Sequence, residues 1–538
     1  MSESKDKNAN IVHDVQSISD HANSTDAFDL GKEIDQYIYH DKSWWNYSHF
    51  LKLHWFIFVL TLSSTNNGYD GSMLNGLQSL SSWQDAMGHP TTYVLGALAN
   101  GTIFGGVLCI PVAAWISDRW GRKFAIALGS TITVIGAVLQ GASTDYAFFF
   151  VSRVIIGFGF GITSLSSPIL IAEIAFPTYR PTSTAIYNVC WYLGATIAAW
   201  VTYGTRLITT SYSWRVPSYL QGLIPLFQVL VIWWVPESPR YLVSRGRIED
   251  AKKFLFKHHT GNDTSERASK LVEFELLEIE QALELEKLNS QSKYTDFITI
   301  KSFRKRLFLL MFTAAMTQLS GNGLVSYYLN LVLNSIGITE EKKQLQINGC
   351  LMIYNLVISA VIAFTCYLFR RRTLFLVSIV CMLISYILWT ILSAINQQRG
   401  FPESLGQGVL AMIFIYYLSY NTGLNGLPYL YVTEILPYTH RAKGLNIYGF
   451  TINVTLIYNG FVNPIAMANI EWKYYIVYCC FLAVELVTVY FTFVETYGYT
   501  LEEVAEVFGD ESVHKHFNQQ SYEKPSLEHV EYEKDTSV

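Results

Sequence analysis

Twelve apolar stretches, each about long enough to cross a bilayer as a helix, constrain this chain more than any other feature of its sequence. A helix needs about 20 predominantly apolar residues to span the hydrocarbon core. Hydrophobic residues make up 51% of the 538 residues and charged residues only 15%, whereas an average soluble chain is about 25% charged. The pattern predicts an all-α membrane protein with twelve transmembrane helices in a lipid bilayer. The approximate spans are 53–76, 92–116, 124–142, 147–173, 182–206, 216–235, 307–333, 346–369, 373–395, 406–433, 444–468 and 473–494.

Basic residues in the short loops predict how the chain is oriented. The loops after spans 2, 8 and 10 carry clusters of Arg, Lys and His, whereas the loops after spans 1, 3 and 11 contain almost no Lys or Arg. Because positive loops stay on the cytoplasmic side, both termini are expected to be cytoplasmic. Residues 1–50 lack the apolar core of a signal peptide, so the first span must serve as the targeting signal.

These spans divide the chain into five predicted segments. They are a cytoplasmic N-terminal tail (1–52), a six-helix bundle (53–235), a cytoplasmic linker (236–306), a second six-helix bundle (307–494) and a cytoplasmic C-terminal tail (495–538). The linker has apolar residues at helical spacing among mixed charges, which favours short helices packed under the bundle. A solvated linker remains the alternative for its middle.

Several functional classes are disfavoured by what the sequence lacks. The formal net charge of −5 argues against a nucleic-acid partner. We find no nucleotide-binding motif, no metal-ligand motif and no nucleophile–base pair, so we expect no cofactor, no metal and no enzymatic activity.

The seventh span carries an unusual run of uncharged polar residues. Gln318, Asn322, Ser326 and Asn330 follow one another at four-residue intervals, which places them on one stripe of a continuous helix. Amides both donate and accept hydrogen bonds, so such a stripe suits a neutral, polyhydroxylated ligand. The segment Gly321-Asn-Gly can break the helix beside that ligand, as happens in transporters. The alternative is that these residues join membrane helices to one another.

The two halves of the chain also repeat each other. Glu173 and Arg180 follow span 4, and Glu434 and Arg441 follow span 10 with the same separation, at an offset of 261 residues. The ends of spans 6 and 12 (236–238 and 494–496) repeat at an offset of 258, and the basic turns repeat at about 250. Repeated six-helix units are typical of transporters whose site lies between the halves.

Together these motifs resemble the sugar porters of the major facilitator superfamily, and the resemblance covers roughly residues 50–505. The form SGNGLVSYYL (320–329) resembles the fungal lactose permease and cellodextrin transporter branch. The motifs are NGYDGSMLNG (67–76), DRWGRK (118–123), RVIIGFGFG (153–161), EIAFPTYR (173–180), WRVPSYLQ (214–221), PESPRYLVSRGR (236–247), QLSGNGLVSYY (318–328), PYLYVTEILPYTHR (428–441) and VETYGYTLEE (494–503).

The resemblance implies a sugar site, although several positions depart from the family pattern. Thr317 stands in place of a glutamine, Gly323 in place of an asparagine and Tyr429 in place of a tryptophan. Nearly all of the changes exchange amide, aromatic and small residues, so a carbohydrate ligand remains the expectation while the contacts to a monosaccharide are in doubt. The candidate sugar-binding residues are Asn188, Gln221, Gln318, Asn322, Tyr327, Tyr328, Asn355, Tyr429 and Asn453.

Asp70 and Arg153 are ionisable groups at membrane depth. A charge there is costly unless it is paired or functional, so each is the expected partner of the other. Proton-coupled members of the family use this pair, which implies that Asp70 binds the coupling proton. The alternative is a static ion pair.

A second group of charged residues lies at predicted cytoplasmic helix ends. We expect them to form salt bridges between the halves when the inner gate is closed. They are Arg119, Arg122, Glu173, Arg180, Arg371, Glu434 and Arg441.

The resulting functional hypothesis is a secondary sugar transporter of the plasma membrane. It takes up a small neutral sugar, such as the disaccharides lactose or cellobiose, by proton symport, and it acts as a monomer. The alternatives are a hexose facilitator and a non-transporting sugar sensor. The short C-terminal tail favours transport.

Overall fold

The computed structural model describes residues 44–289, 293–365, 368–437 and 440–498, together with Phe508. Most of both predicted tails therefore lies outside the described residues. Within the described ranges, every regular element is a helix. Twelve helices or interrupted helices correspond to the twelve predicted spans, and the sequence-based prediction of an all-α membrane fold is confirmed.

We number the membrane helices in chain order and give two labels to each interrupted one. Their bounds agree with the predicted spans to within a few residues. They are α1 (Ser48–Gln78), α2 (Thr92–Trp120), α3 (Arg122–Ala142), α4 (Tyr146–Ile174), α5 (Arg180–Thr205), α6a (Tyr212–Leu220), α6b (Leu223–Val231), α7a (Lys301–Leu319), α7b (Asn322–Ser335), α8 (Glu341–Thr365), α9 (Arg371–Gln398), α10a (Glu403–Gly423), α10b (Leu427–Ile435), α11 (Arg441–Ile470) and α12 (Tyr474–Thr492).

Hydropathy alone identifies fewer spans than the fold contains. Eight stretches of the described chain are long and apolar enough to cross a membrane, and one of them, Arg441–Thr492, includes both α11 and α12. Helix α1 is not among them, and it carries Asn66, Asn67 and Asp70 in its middle. The least apolar helices of the bundle are therefore candidates for function.

Proline explains two of the three helix interruptions. In a regular helix the N–H of residue i donates to the carbonyl of residue i−4, and proline has no N–H. Pro225 therefore leaves the carbonyl of Gln221 without its helical donor, at the junction of α6a and α6b. Pro428 has the same relation to Leu424, between α10a and α10b. The sequence predicts one continuous span at each of these places, whereas each helix is interrupted in the structure.

Among the described residues, several hydrogen bonds join the two halves in the middle and at one end of the bundle. We call the end with the basic turns the inner end and the opposite end the outer end. Asn100 in the outer third of α2 donates to the carbonyl of Ile457 in α11 (3.2 Å). Gly349 at the start of α8 packs against the Trp200 ring near the end of α5. The halves are thus closed against each other at the outer end.

The linker forms helices beneath the inner ends of the bundle. They span Pro239–Ser244, Ile248–His258, Glu266–Asn289 and Asp296–Thr299. Phe254 and Leu271 pack with Phe50 of α1 and Ile174 of α4 in one apolar cluster. Near the C-terminal end of the linker, Asp296 pairs with His440 at the start of α11 (3.1 Å). The linker therefore contacts both halves.

Two glutamates at equivalent positions, one in each half, cap the N-termini of equivalent helices. Glu237 accepts from the backbone N–H groups of Arg122 and Lys123 at the start of α3 (3.1 and 3.3 Å). Glu495 accepts from the backbone N–H of Arg371 at the start of α9 (2.8 Å). A carboxylate at a helix N-terminus satisfies N–H groups that lack helical partners. Burial raises the pKa of the Glu237 carboxyl, and these backbone N–H groups oppose that shift.

Candidate functional site

The interruption of helix 7 is built around Gly321. Its φ is +103°, a left-handed backbone conformation that glycine adopts far more easily than other residues. A Cβ at this position would lie 2.0 Å from the hydroxyl oxygen of Tyr386 in α9. That hydroxyl donates to the Gly321 carbonyl (3.3 Å), so the ring occupies the space that a side chain would need.

The interruption places the amide of Asn322 at the N-terminus of α7b, within a network of hydroxyl groups. Its Nδ2 donates to the hydroxyl of Tyr420 in α10a (3.1 Å), and its Oδ1 accepts from Ser326 Oγ (2.9 Å). Ser326 also contacts the hydroxyl of Tyr417 (2.9 Å). Asn322 and Ser326 are only half-buried. Hydrogen bonds therefore hold both side chains in fixed orientations, and both remain partly accessible to a ligand.

The predicted polar stripe of helix 7 is interrupted rather than continuous. Gln318 belongs to the last turn of α7a, where its Nε2 lies 3.4 Å from Thr317 Oγ1. Asn330 is buried, and its Nδ2 lies 3.5 Å from the Gln78 carbonyl of α1. Tyr328 has non-helical φ and ψ of −138° and 34°. On either side of this second bend, Tyr327 and Asn330 contact Gln78 of α1.

An amide from the other half of the protein fits into that second bend. Asn75 of α1 accepts from the backbone N–H of Leu329 (3.1 Å), and its Nδ2 lies 3.5 Å from the carbonyl of Val325. A regular helix would join these two backbone groups to each other. Asn75 therefore ties closure of the outer end to the shape of the helix that carries the candidate sugar site.

The remaining candidate sugar-binding residues divide into exposed and buried groups. Asn188 and Tyr429 are exposed, and Tyr327 and Asn453 are half-buried. In contrast, Tyr328 is fully buried and donates to the Gly460 carbonyl (2.6 Å).

Two further candidates are also fully buried. Asn355 accepts from Asn421 Nδ2 (3.0 Å), and Gln221 lies against Asp70. The side chains of these buried candidates are closed off from open space in this arrangement.

Asp70 and Arg153 form a buried, two-armed ion pair. Arg153 Nη1 and Nη2 lie 3.1 and 3.0 Å from Asp70 Oδ1 and Oδ2, and Arg153 Nε donates to the Leu98 carbonyl (2.7 Å). Gln221 Nε2 donates to Asp70 Oδ1 (2.9 Å). The three groups that contact the carboxyl oxygens of Asp70, namely Arg153 Nη1, Arg153 Nη2 and Gln221 Nε2, are all donors.

The candidate inner-gate residues are paired within their own halves. Arg122 Nε lies 3.4 Å from Glu173 Oε2, and Arg371 Nη2 lies 3.4 Å from Glu434 Oε1. Because the halves are closed at the outer end, this arrangement does not test the predicted bridges between the halves.

The other gate candidates have local contacts. Arg180 pairs with Glu278 of the linker (3.7 Å). Arg441 Nη2 donates to the Leu436 carbonyl (3.5 Å), and Arg119 lies over the Trp115 ring.

Sequence reasoning missed several residues that complete these networks. Tyr417, Tyr420 and Asn421 all lie on α10a and face α7b, α5 or α8. Gln140 of α3 reaches Gln221. Tyr416 and Tyr420 are four residues apart, and Tyr417 is adjacent, so the sequence offered a usable signal for a hydroxyl-rich helix face. Gln140 gave no such signal, because it is the one amide side chain in its span.

Comparison with known proteins agrees with this architecture. Residues 56–508 match the family described as "Sugar (and other) transporter". The MFS-type transporter oryC of Aspergillus oryzae is 30% identical over 84% of this chain and 86% of its own length. The low-affinity glucose transporter of Kluyveromyces lactis is 29% identical over 78% of this chain and 74% of its own length.

A solved structure gives the same fold. The proton:xylose symporter XylE of E. coli, bound to 6-bromo-6-deoxy-D-glucose, has a TM-score of 0.68 at 19% identity. The match covers 85% of this chain and 99% of XylE. The chain therefore belongs to the sugar transporter family of the major facilitator superfamily, with twelve membrane helices in two six-helix repeats.

Proposed function

We propose that this protein is a proton-coupled sugar symporter of the plasma membrane. The buried cluster of Asp70, Arg153 and Gln221 is the main support for proton coupling. An ionisable group inside a membrane protein marks a proton or substrate pathway by default. XylE, which shares the fold, is described as a proton:xylose symporter.

The proposed sugar site lies where the two halves meet, around the amides of Gln318 and Asn322. The half-buried hydroxyl and amide groups there suit a neutral sugar. The motif at 320–329 supports a disaccharide such as lactose or cellobiose as the substrate. Asn188, Tyr327, Tyr429 and Asn453 are proposed to contribute further contacts, with Tyr328 and Asn355 behind them.

The proposed transport cycle couples two events. With the predicted orientation and cytoplasmic termini, closure of the outer end makes this the inward-facing arrangement, and Asp70 is held here as a carboxylate. After the carrier returns to the outward-facing arrangement, protonation of Asp70 weakens its bond to Arg153. The loaded carrier then reorients and releases sugar and proton inside.

Uptake of labelled sugars into yeast that lacks its own sugar transporters tests the proposal. A panel of mono- and disaccharides is measured with and without a protonophore. We expect one sugar class to accumulate, and we expect the protonophore to abolish accumulation. Equilibration without accumulation, insensitive to the protonophore, would overturn symport.

Facilitated diffusion of a hexose is the second candidate. It is favoured by the similarity to the glucose transporter of Kluyveromyces lactis and by the fully satisfied ion pair of Asp70, which a static structural role would equally explain. The same uptake experiment separates the two candidates.

A further inference from the structure

Gln221 is fully buried at the junction of α6a and α6b, and its amide is held at both ends. Its Nε2 donates to Asp70 Oδ1 (2.9 Å), and its Oε1 accepts from Gln140 Nε2 of α3 (3.3 Å). The two glutamines therefore form a chain of hydrogen bonds that ends on the carboxylate. The direction of that chain is set by which end of each amide faces the next group.

Protonation of Asp70 conflicts with this direction. A carboxylic acid must donate one hydrogen bond, yet the described groups that hydrogen-bond to Asp70 are Arg153 Nη1, Arg153 Nη2 and Gln221 Nε2, all of which donate. The Tyr327 hydroxyl lies close enough to interact with the charge of Asp70 but forms no hydrogen bond with it in this arrangement. Arginine cannot become an acceptor. A glutamine can, because rotation of its amide by a half-turn exchanges its oxygen and nitrogen with almost no change in shape.

Gln140 is able to accept the reversed amide. Its Oε1 is buried and lacks a hydrogen-bond partner among the described residues. If Gln221 turns its Oε1 toward Asp70, the Nε2 of Gln221 then faces Gln140. Gln140 can accept from this Nε2 by rotating its own amide, which brings Gln140 Oε1 toward Gln221. A buried acceptor without a partner is otherwise unfavourable.

We propose that Gln221 and Gln140 are positioning residues for the coupling proton, and that their amides reverse together when Asp70 gains or loses it. In one direction the chain stabilises the carboxylate, and in the other it accepts from the carboxylic acid. The inference rests on the proposed function of Asp70. It assigns Gln221 to proton coupling rather than to sugar contact.

The first test replaces Gln221 with Met, which has a similar shape but no amide. Met removes both the donor to the carboxylate and the acceptor for the carboxylic acid. The bond to the charged form is about twice as strong, so its loss dominates, protonation becomes easier, and the pH of half-maximal uptake should rise by roughly one unit. The sugar KM at saturating acidity should stay within about twofold of the wild-type value. A several-fold higher KM at every pH, with an unchanged pH profile, would overturn the inference.

Gln228→Leu is the matched control. Gln228 is also a buried glutamine of helix 6, but it bonds to Ser63, Ser130 and the Val59 carbonyl. Its loss should reduce the amount of folded protein without moving the pH profile. If Gln221→Met fails to fold, Gln221→Leu provides a second variant for the same measurement.

A double-mutant cycle tests the reversal itself. Gln140→Glu presents only acceptors when ionised, so it should hold Gln221 with its oxygen toward Asp70 and raise the half-maximal pH. If this effect passes through Gln221, it should shrink by at least about half in the Gln221→Met background. An equal shift in both backgrounds would mean that the added charge acts directly on Asp70, and the reversal would be rejected.

An infrared measurement separates failure of this inference from failure of symport. The carboxylic acid band that Asp70→Asn removes reports protonated Asp70 in purified protein, whether or not transport is coupled. A larger band at the same pH in Gln221→Met supports the inference even if uptake proves uncoupled. An unchanged band in a protein with coupled uptake overturns the inference and leaves symport standing.

Discussion

Asn322 and Gln318 differ in how much of their hydrogen-bonding capacity the protein itself uses. Asn322 bonds to Tyr420 and Ser326, whereas Gln318 has one long contact, to Thr317. Gln318 therefore has more groups available for a sugar. In the proposed sugar site, truncating either amide would leave a sugar hydroxyl or a buried partner unsatisfied.

Gln318→Ala and Asn322→Ala should each raise the sugar KM by about fivefold to 150-fold, because an unpaired polar group at a buried contact costs about 1–3 kcal/mol. Uptake kinetics at normalised surface expression measure the effect. Asn469→Ala is the control, because Asn469 is an exposed amide that bonds within α11. Wild-type KM values in both site variants would move the sugar site away from helix 7.

At this scale, charge was easier to predict than neutral polarity. Asp70 and Arg153 are conspicuous in the sequence because each is an ionisable residue in an apolar span. Gln140 and Tyr420 are not, since uncharged polar residues occur on most of these helices. Their partners depend on how α3, α6a and α10a pack, which no local pattern encodes.

At the scale of single helices, the interruption of helix 7 depends on Gly321. In Gly321→Ala, the alanine must adopt the left-handed backbone conformation of Gly321, which costs roughly 1–2 kcal/mol for an L-residue. Its Cβ would also displace the Tyr386 ring. We expect a lower thermal stability of the purified protein and reduced uptake. Gly449→Ala in α11 is the control, because a Cβ there meets open space. Equal stability of the two variants would contradict the account.

The linker provides a prediction that depends on pH. Burial, and after it the positive charges of the neighbouring Lys257, His259, Lys52 and His49, together lower the pKa of His258 from 6.5 to about 4. The folded linker therefore disfavours the proton that the unfolded chain accepts below about pH 6.5. Stability is full above that pH and falls as the pH drops toward 4.

Hydrogen exchange of the Ile248–His258 helix measures this effect. Exchange should accelerate between about pH 6.5 and 4 after correction for intrinsic rates, and His258→Gln should flatten the dependence. His89→Gln, at an exposed ring, should leave it unchanged. A linker whose protection is constant over this range would contradict the assignment.

The sequence predicted where the membrane helices lie and where helix 7 breaks, but not the breaks in helices 6 and 10. Gly321-Asn-Gly gave a local signal for the break in helix 7. Pro225 and Pro428 gave signals of a different physical kind, the lack of a backbone N–H, yet proline also occurs in uninterrupted helices such as α2 and α4. Whether a proline breaks a helix depends on which neighbours satisfy the freed carbonyl.

At the scale of the whole molecule, Asn75 joins the two halves where the outer end is closed. Its amide contacts both the Val325 carbonyl and the Leu329 N–H of α7b. Removing it should leave these groups to pair with each other and should favour opening of the outer end.

Distances between spin labels report this opening. In a cysteine-poor background, labels at Tyr93 and Lys342, near the outer starts of α2 and α8, should lie farther apart in Asn75→Ala than in the parent. Asn469→Ala again serves as the control. An unchanged distance distribution in Asn75→Ala would show that Asn75 does not hold the outer end closed.

Concentrative uptake by Asp70→Asn tests whether Asp70 carries the coupling proton, because asparagine imitates the protonated acid and cannot release a proton. We expect accumulation of sugar and sugar-induced proton influx both to vanish, while exchange of labelled for unlabelled sugar persists. Asp85→Asn, at an exposed carboxylate, should behave as the wild type. If Asp70 were only a static partner, its loss would strand buried Arg153 at roughly 3–5 kcal/mol and deplete the protein from the surface. A well-expressed Asp70→Asn protein that still accumulates sugar against its gradient would contradict the account.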